Sequence, residues 1–240
     1  MIIYQLTYLQ QVAKLLTALY LNNLLFILYH KSMKTIALIS QKGGSGKSTL
    51  SISLACEAEL QNIQTLLIDT DQQSSVYKWF RLRENDLPYT ISTHGEAVEE
   101  ELEKYEEAGA ELAIVDTAGV SSTASVSLAK QADMVLIPSR ASAIDLQAIE
   151  DSINIAKLAG KIPYVIFNAV HPNAKQTFEE IKKVAEDSYE ATVIPFCVSQ
   201  RSTFSHCMIG GESPQEYEPN GKAHQEITQL FNWVKKVVKL

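Results

Sequence analysis

The chain has 240 residues, of which 46% are hydrophobic and 20% are charged, a composition that suits one globular domain with a sizeable core. The formal net charge of −7 argues against a protein coated in positive charge, although a local basic patch would still attract DNA or an acidic membrane. The three cysteines are an odd number without C-x-x-C spacing, so the sequence indicates neither a disulfide framework nor a zinc site, and a reducing cytoplasm is the expected compartment.

Residues 1–32 form an apolar extension that contains no Asp, Glu, Gly or Pro. Its most apolar run, Leu15 to Tyr29, is shorter than the roughly 20 residues that a membrane span needs. No small-residue cleavage site follows it, so a signal peptide is not predicted. We interpret the extension first as sequence read in by an early start codon, second as a helix docked on the domain and third as a membrane anchor. The domain itself is predicted to span 33–240.

Short apolar runs alternate with helical stretches through the rest of the chain. Unbroken apolar runs are typical of strands buried on both faces, and their alternation with helices predicts an α/β fold with a doubly wound, mainly parallel sheet flanked by helices. Ligands of such sheets bind at the carboxyl ends of the strands. In chain order, we predict a strand over 35–40, a helix over 50–60, strands over 65–69 and 89–92, a solvated acidic helix over 96–107, and strands over 112–116, 134–138, 163–168 and 191–195.

A glycine-rich loop, Gln-Lys-Gly-Gly-Ser-Gly-Lys-Ser-Thr, joins the first predicted strand to the first predicted helix. Its glycines let backbone N–H groups turn towards the phosphates of a nucleotide, and the helix N-terminus adds its dipole. In a phosphate loop of this kind Lys47 reaches the β- and γ-phosphates and Ser48 holds Mg²⁺. The sequence therefore predicts a site for ATP and Mg²⁺ that contains Gly43, Gly44, Ser45, Gly46, Lys47, Ser48 and Thr49.

Two predicted strands end in aspartate at the edge of the sheet where the phosphate loop lies. Asp116 ends the strand over 112–116, and a carboxylate in this position holds Mg²⁺ directly or through water. Asp69 ends the strand over 65–69, and Asp71 follows two residues later, so that on an extended chain the two side chains point the same way. The alternative for each is a hydrogen-bonded turn former.

The phosphate loop departs from the G-x-x-x-x-G-K-[ST] pattern, because Gln41 stands where the first glycine would be and Lys42 follows it. This arrangement resembles the deviant Walker A motif, K-G-G-x-G-K-[ST]-T, of the ParA/MinD family of ATPases, and the resemblance extends over 33–240. In that family the early lysine reaches the nucleotide of a partner subunit, which implies that Lys42 acts catalytically in trans in a homodimer formed with ATP, beside the ordinary loop lysine, Lys47.

The resemblance also assigns roles to the strand-end residues. It implies that Asp71 positions or activates the attacking water and that Asp69 supports the Mg²⁺ shell with Ser48 and Asp116. The family has proline where Gln72 stands, which affects the conformation of that loop. Asn168 ends a strand where relatives contact adenine, and a plain strand-terminal Asn explains it equally well.

Beyond residue 195 the chain resembles the small partition ATPases of plasmids, which implies nonspecific DNA binding in the ATP state and a nucleoid-associated protein. It also implies a DNA-bound partition adaptor protein that stimulates hydrolysis. The alternative is membrane binding, as in MinD-like relatives, because the C-terminal run is amphipathic. A last helix that packs on the sheet needs the same pattern. A small-molecule ligase is the alternative enzyme class. The candidate DNA-phosphate contacts are Arg201, Lys222, Lys235, Lys236 and Lys239.

Overall fold

The fold is described from a computed structural model, which describes residues 32–119 and 123–240 together with Lys14 and Thr17. The interpretations of residues 1–31 lie outside the described residues. The chain divides into two compact units, Met1–Ser32 and Met33–Leu240, and the second unit is described below. Within the described residues, no helix is long and apolar enough to cross a membrane.

Seven strands form one sheet in which every pairing between strands is parallel. This result confirms the predicted fold class. The strands are β1 (Lys34–Leu38), β2 (Thr65–Asp69), β3 (Tyr89–Ser92), β4 (Leu112–Asp116), β5 (Met134–Arg140), β6 (Pro163–Asn168) and β7 (Thr192–Val193). Their order in the sheet is β3-β2-β4-β1-β5-β6-β7.

Helices connect the strands and cover the sheet. The described α-helices are α1 (Lys47–Leu60), α2 (Ser75–Phe80), α3 (Val98–Glu107), α4 (Thr123–Gln131), α5 (Ala143–Leu158), α6 (Lys175–Tyr189), α7 (Thr203–His206), α8 (Pro214–Tyr217) and α9 (Lys222–Val238). The acidic segment predicted as a solvated helix is α3, preceded by a 3₁₀ turn over Gly95–Ala97. Val98 and Leu102 face the core from α3.

Element bounds differ from the sequence prediction in several places, and β1, predicted over 35–40, spans Lys34–Leu38. Helix α1 begins at Lys47 because Gly46, in a left-handed conformation, turns the chain into its first turn. Strand β5 runs two residues beyond the predicted end, to Arg140. The last predicted strand shortens to Thr192–Val193: Ile194 still donates a backbone hydrogen bond to the carbonyl of Val165, but the next residue is proline and has no N–H to continue the ladder.

The core has a layer on each face of the sheet, because successive strand residues point to opposite faces. Ile36 and Leu38 of β1 pack with residues of α1 and α9. Ala37 points to the other face and packs with residues of α5 and α6. The phosphate loop that follows β1 is therefore supported by helices from both sides.

The C-terminal helix α9 packs on the domain with its apolar side. This burial explains the amphipathic pattern, and it favours a packed last helix over a membrane-binding one. The polar side of α9 meets the end of α1, where Lys235 Nζ donates to Gln61 Oε1 over 2.9 Å and His224 Nε2 lies 3.4 Å from Glu57 Oε2. The buried apolar residues of α9 are Ile227, Leu230, Phe231, Val234 and Val238.

An ion pair between a buried arginine and a glutamate that is 31% exposed ties the segment after α2 to α8. The Arg83 guanidinium is only 3% exposed and makes two hydrogen bonds to the Glu216 carboxylate, of 2.6 and 2.9 Å. It also donates to the carbonyl of Gly211 over 2.8 Å and lies 4.6 Å from the centre of the Trp79 ring. Nearly all the solvent around the cation has been replaced by protein, so the pair is a strong structural constraint.

Candidate functional site

The glycine-rich loop lies at the carboxyl edge of the sheet, between β1 and α1. β1 is flanked by β4 on one side and by β5 on the other, and the chain fills one half of the sheet before it crosses to the second half. Crevices at such a reversal of strand order are where parallel α/β sheets bind ligands. The fold thus places the loop at the position that the sequence analysis required for a phosphate site.

Two glycines give this loop its shape. Gly44 has a φ of +75° and Gly46 a φ of +94°, a region that residues with a Cβ rarely adopt. Between them lies Ser45, a buried residue whose Oγ has no hydrogen-bond partner among the described residues. A buried hydroxyl without a partner is costly, so this atom fits a site that a polar ligand completes.

Lys47, Ser48 and Asp116 converge below the loop. Lys47 is 9% exposed, and Ser48 Oγ donates to Asp116 Oδ2 over 2.7 Å. The second oxygen, Asp116 Oδ1, accepts from Ser51 Oγ over 3.1 Å. Ser51 was not predicted as a site residue, although it lies one turn beyond Ser48 on the same side of α1. The structure thus brings together the predicted loop lysine, hydroxyl and carboxylate.

Burial raises the pKa of Asp116 to about 7, although the hydrogen bond from Ser48 and the charge of Lys47 oppose the rise. The negative charge of Asp69 adds to it, since Asp69 and Asp116 are opposite each other in the register of β2 and β4. A carboxylate that is costly to keep charged in the protein alone gains from a cation beside it. Asp116 and Ser48 are therefore a chemically suitable pair of ligands for Mg²⁺.

Asp69, predicted to support the Mg²⁺ shell, accepts three backbone hydrogen bonds. Its Oδ1 accepts the backbone N–H of Asp71 over 3.0 Å, and its Oδ2 accepts those of Val76 and Tyr77 over 2.9 and 3.0 Å. The carboxylate thus caps the first turn of α2 and anchors the loop that carries Asp71. No local motif signals this role, because the amides lie up to eight residues along the chain.

Asp71 lies half-buried in the loop after β2. Its Oδ1 accepts the backbone N–H of Gln73 over 2.9 Å, and its carbonyl accepts that of Ser74 over 2.8 Å. These bonds form a tight turn without the proline that the resemblance led us to expect at residue 72, since the side chain of Asp71 itself stabilises the turn.

Lys42 is half-buried near the start of the phosphate loop. Its side chain is 37% exposed, and its Nζ is paired with Asp145 Oδ1, whose side chain is 9% exposed. Ser142 Oγ donates to the other oxygen of Asp145. Burial would raise the pKa of Asp145, but the hydrogen bonds from Lys42 and Ser142 outweigh it and hold that pKa below its ordinary value. In the single chain the lysine predicted to act in trans is thus bound in cis by a residue 103 positions away.

The remaining residues predicted for the site are Thr49 and Asn168. Thr49 is half-buried in the first turn of α1, where its carbonyl accepts from Ser53 Oγ over 2.7 Å. Asn168 is 9% exposed and reaches the phosphate loop, where its Nδ2 donates to the carbonyl of Ser45 over 3.2 Å. Gly43 has open space around its Cα. Asn168 thus reaches the loop through Ser45, and Gly43 and Thr49 belong to it by their place in the chain.

The basic residues proposed for DNA differ in their surroundings. Arg201 forms an ion pair of 2.6 Å with Glu226, and Lys235 donates to Gln61. Lys222 and Lys236 are exposed, at the first and the last turn of α9. Lys239 is exposed just beyond the helix.

Comparisons with known proteins agree with this geometry. Residues 36–212 match the CobQ/CobB/MinD/ParA nucleotide binding domain family. Protein ParA of Rhizobium radiobacter is 31% identical over 116 residues, 47% of this chain and 51% of that protein, so the chain spans about half the length of this curated relative. The maintenance of carboxysome distribution protein A of Halothiobacillus neapolitanus is 24% identical over 209 residues, 83% of this chain and 95% of that protein.

The septum site-determining protein MinD of Pyrococcus horikoshii, solved as a complex with Mg-ADP, superposes with a TM-score of 0.65. The superposition covers 85% of this chain and 97% of that one at 15% identity, which shows a common fold. The family match covers well over half of the chain and includes the phosphate loop and all three site aspartates. The chain therefore belongs to the CobQ/CobB/MinD/ParA nucleotide binding domain family and contains the nucleotide-binding ATPase domain of the ParA/MinD proteins.

Proposed function

We propose that this chain is a ParA-type ATPase that dimerises with ATP, binds nonspecific DNA and drives partition of a plasmid or chromosome through slow ATP hydrolysis. The observation that carries the proposal is the contrast between the two lysines of one phosphate loop. Lys47 is buried beside Asp116, whereas Lys42 is 37% exposed near the start of the loop. A buried lysine is suited to the nucleotide of its own chain, and we infer that Lys42 reaches a second chain once its pair with Asp145 opens.

The residues of the loop fit ATP and Mg²⁺. The Ser45 hydroxyl lacks a partner among the described residues, and Gly44 and Gly46 allow the backbone to follow a chain of phosphates. Ser48 and Asp116 are the residues that would hold Mg²⁺, and the bound ion would neutralise charge on the phosphates. Since Asp69 accepts three backbone hydrogen bonds, we assign it the support of the loop behind the metal site.

Hydrolysis needs a group that orients water, and we assign this task to Asp71. Its turn holds the carboxylate at the end of β2, next to the strand that ends in Asp116. Phosphoryl transfer to water depends mainly on positioning and on positive charge near the γ-phosphate. Without the second lysine of a partner this positive charge is incomplete, so hydrolysis would be slow and coupled to dimer formation.

We propose that the ATP-bound dimer binds DNA. Lys222 and Lys236 are exposed on α9 and are suited to phosphate contacts that do not depend on sequence, whereas Arg201 and Lys235 are engaged within the protein. The buried apolar side of α9 argues against the MinD-like membrane alternative. A DNA-bound adaptor protein that stimulates hydrolysis is the partner that we expect. The relative named for carboxysome distribution leaves the cargo open between DNA and a protein compartment.

The first experiment tests the dimer. We expect Lys42→Ala to retain nucleotide binding but to lose dimerisation with ATP, as measured by analytical ultracentrifugation with ATP and with ADP. Asp71→Ala should bind ATP and accumulate as a dimer that hydrolyses slowly. Lys104→Ala, an exposed lysine on α3, is the matched control. A Lys42→Ala protein that dimerises and hydrolyses normally would refute the role in trans.

The second experiment distinguishes DNA binding from membrane binding. Retention on DNA is compared with sedimentation on anionic liposomes, each with ATP and with ADP over a salt series. We expect DNA binding only with ATP and a steep loss with salt, and we expect a Lys222→Glu/Lys236→Glu variant to lose it. Equal DNA binding with ATP and ADP would contradict the proposal. Turnover that strictly requires a small substrate would instead indicate a ligase.

A further inference from the structure

Two neighbouring strands end in side chains that reach the phosphate loop. Arg140 ends β5 and Asn168 ends β6, and the two are opposite each other in the register of these strands. Arg140 Nε donates to the carbonyl of Gly44 over 3.0 Å, and Asn168 Nδ2 donates to the carbonyl of Ser45 over 3.2 Å. A register pair at the edge of the sheet thus binds two consecutive carbonyls of the loop.

These two bonds constrain the groups that would face a nucleotide. A trans peptide is planar, so its N–H points away from its C=O. When the carbonyls of Gly44 and Ser45 are held by the strand ends, the N–H groups of Ser45 and Gly46 are turned to the opposite side. Phosphate loops bind their ligand through such N–H groups. Glycines at positive φ do not fix this orientation by themselves, because glycine has many accessible conformations.

Asn168 is held on both sides of its amide. Its Oδ1 accepts the backbone N–H of Ala169 over 2.8 Å, while its Nδ2 is bound to Ser45. A Cβ placed on Gly46 would overlap this amide, so the two residues are in direct contact. The contacts that the structure gives to the Asn168 side chain are thus to backbone, and two of the three partners lie in the phosphate loop.

Arg140 differs from Asn168 in that its side chain is exposed. Its bond to Gly44 therefore adds little to the stability of the fold, since exposed polar contacts contribute little. The same bond defines the orientation of one peptide in a loop whose glycines have many accessible conformations. The effect of Arg140 should consequently be seen in ligand binding and not in unfolding.

We propose that Arg140 and Asn168 are positioning residues that hold the phosphate loop in its binding conformation, and that both act on the phosphates of the nucleotide through the loop. For Asn168 this role is the alternative to the adenine contact considered from the sequence, and the test below decides between them. The inference rests on the proposed function, namely that this loop binds ATP with Mg²⁺.

The test compares a ligand that has a base with one that lacks it. Dissociation constants for ATP and for inorganic tripolyphosphate, both with Mg²⁺, are measured by calorimetry on the full chain. For Arg140→Ala and Asn168→Ala we expect both constants to rise by the same factor, about tenfold, as for loss of one hydrogen bond that supports a charged ligand. Arg140→Lys restores a donor and should recover part of the affinity.

Control measurements separate the proposal from simpler explanations. Arg81→Ala removes another exposed arginine, and both constants should stay unchanged. The melting temperature of Arg140→Ala without ligand should equal that of the wild type, so Arg140 remains informative even if Asn168→Ala folds poorly. Weaker binding of ATP with unchanged binding of tripolyphosphate would make Asn168 a base contact and overturn the proposal for that residue.

Unchanged binding of both ligands by both variants would overturn the proposal as a whole. A wild-type protein that binds neither ligand would instead refute the proposed function, and the positioning role would fall with it. The wild-type measurement therefore distinguishes the two failures.

Discussion

The role of Asp69 leads to a prediction that combines stability and activity. Asp69→Asn keeps the size of the side chain but replaces one acceptor oxygen by a donor. In one orientation the new NH₂ group faces the N–H groups of Val76 and Tyr77, and in the flipped orientation the NH₂ group faces only the N–H of Asp71. The flipped orientation leaves the part-buried N–H of Asp71 unpaired, and the cost of an unpaired buried donor, about 1–3 kcal/mol, is an upper range for it.

A second effect partly offsets this loss. Burial raises the pKa of Asp69, although the backbone hydrogen bonds oppose the rise, so part of the cost of keeping a charge in this place disappears with the neutral amide. We therefore expect the unfolding free energy to fall by about 1–2 kcal/mol, the lower part of that range. Since the flipped amide no longer holds the N–H of Asp71, ATP hydrolysis should fall more than ATP affinity.

The assay is urea unfolding followed by circular dichroism, together with ATP binding and turnover at several Mg²⁺ concentrations. Asp71→Asn is the matched control, because it retains an oxygen for the N–H of Gln73 and should unfold within about 0.5 kcal/mol of the wild type. If Asp69→Asn is as stable as the wild type but needs more Mg²⁺ to bind ATP, Asp69 is a metal ligand and the reasoning is refuted.

Three further predictions concern ion pairs. Glu216→Ala should lower the unfolding free energy by about 3 kcal/mol, because it leaves the Arg83 guanidinium buried without its partner. The control is Glu190→Ala, which removes the exposed partner of Lys157 and should leave the melting temperature unchanged. Burial raises the pKa of Glu216, but the hydrogen bonds from Arg83 and Ser213 and the charge of Arg83 together outweigh it and lower that pKa. The stability from this group is therefore complete above the ordinary value of about 4.3 and is lost as the pH falls through the lower folded value. A melting temperature that stays flat from about pH 5.5 to about pH 3 would contradict this. Asp145→Asn should release Lys42, so that dimerisation with ATP occurs at lower protein concentration in sedimentation experiments. An unchanged dimer dissociation constant would show that the ion pair between Lys42 and Asp145 does not restrain dimerisation.

Much of the fold could be predicted because its signals are local. Each buried strand is a short apolar run, and the alternation with helices leaves few topologies for a parallel sheet. The phosphate loop is also a local pattern, as is Asp116 at the end of β4, and the structure brings these residues together. Bounds were least predictable where backbone geometry decides them, as at Gly46, which starts α1 earlier than the apolar pattern indicates.

The partners of site residues could not be predicted, because they are far apart in the sequence. The pairing of Lys42 with Asp145 and that of Arg201 with Glu226 depend on how separate elements pack. The same holds for Asn168, whose amide meets a loop 123 residues earlier in the chain. A charge or an amide in a sequence indicates a capacity to bind, and only the fold decides whether a neighbour within the protein uses it.

The packing of α9 on α1 has a consequence for how the two ends of the domain are coupled. The first turn of α1 follows Gly46 in the phosphate loop, and its last turn ends about 20 Å away, at a rise of about 1.5 Å per residue. There Gln61 holds Lys235 of the helix that exposes Lys222 and Lys236. Helix α1 thus connects the phosphate loop to the helix that carries the lysines proposed for DNA binding, and a shift of its first turn would reach that helix through the contact between Gln61 and Lys235.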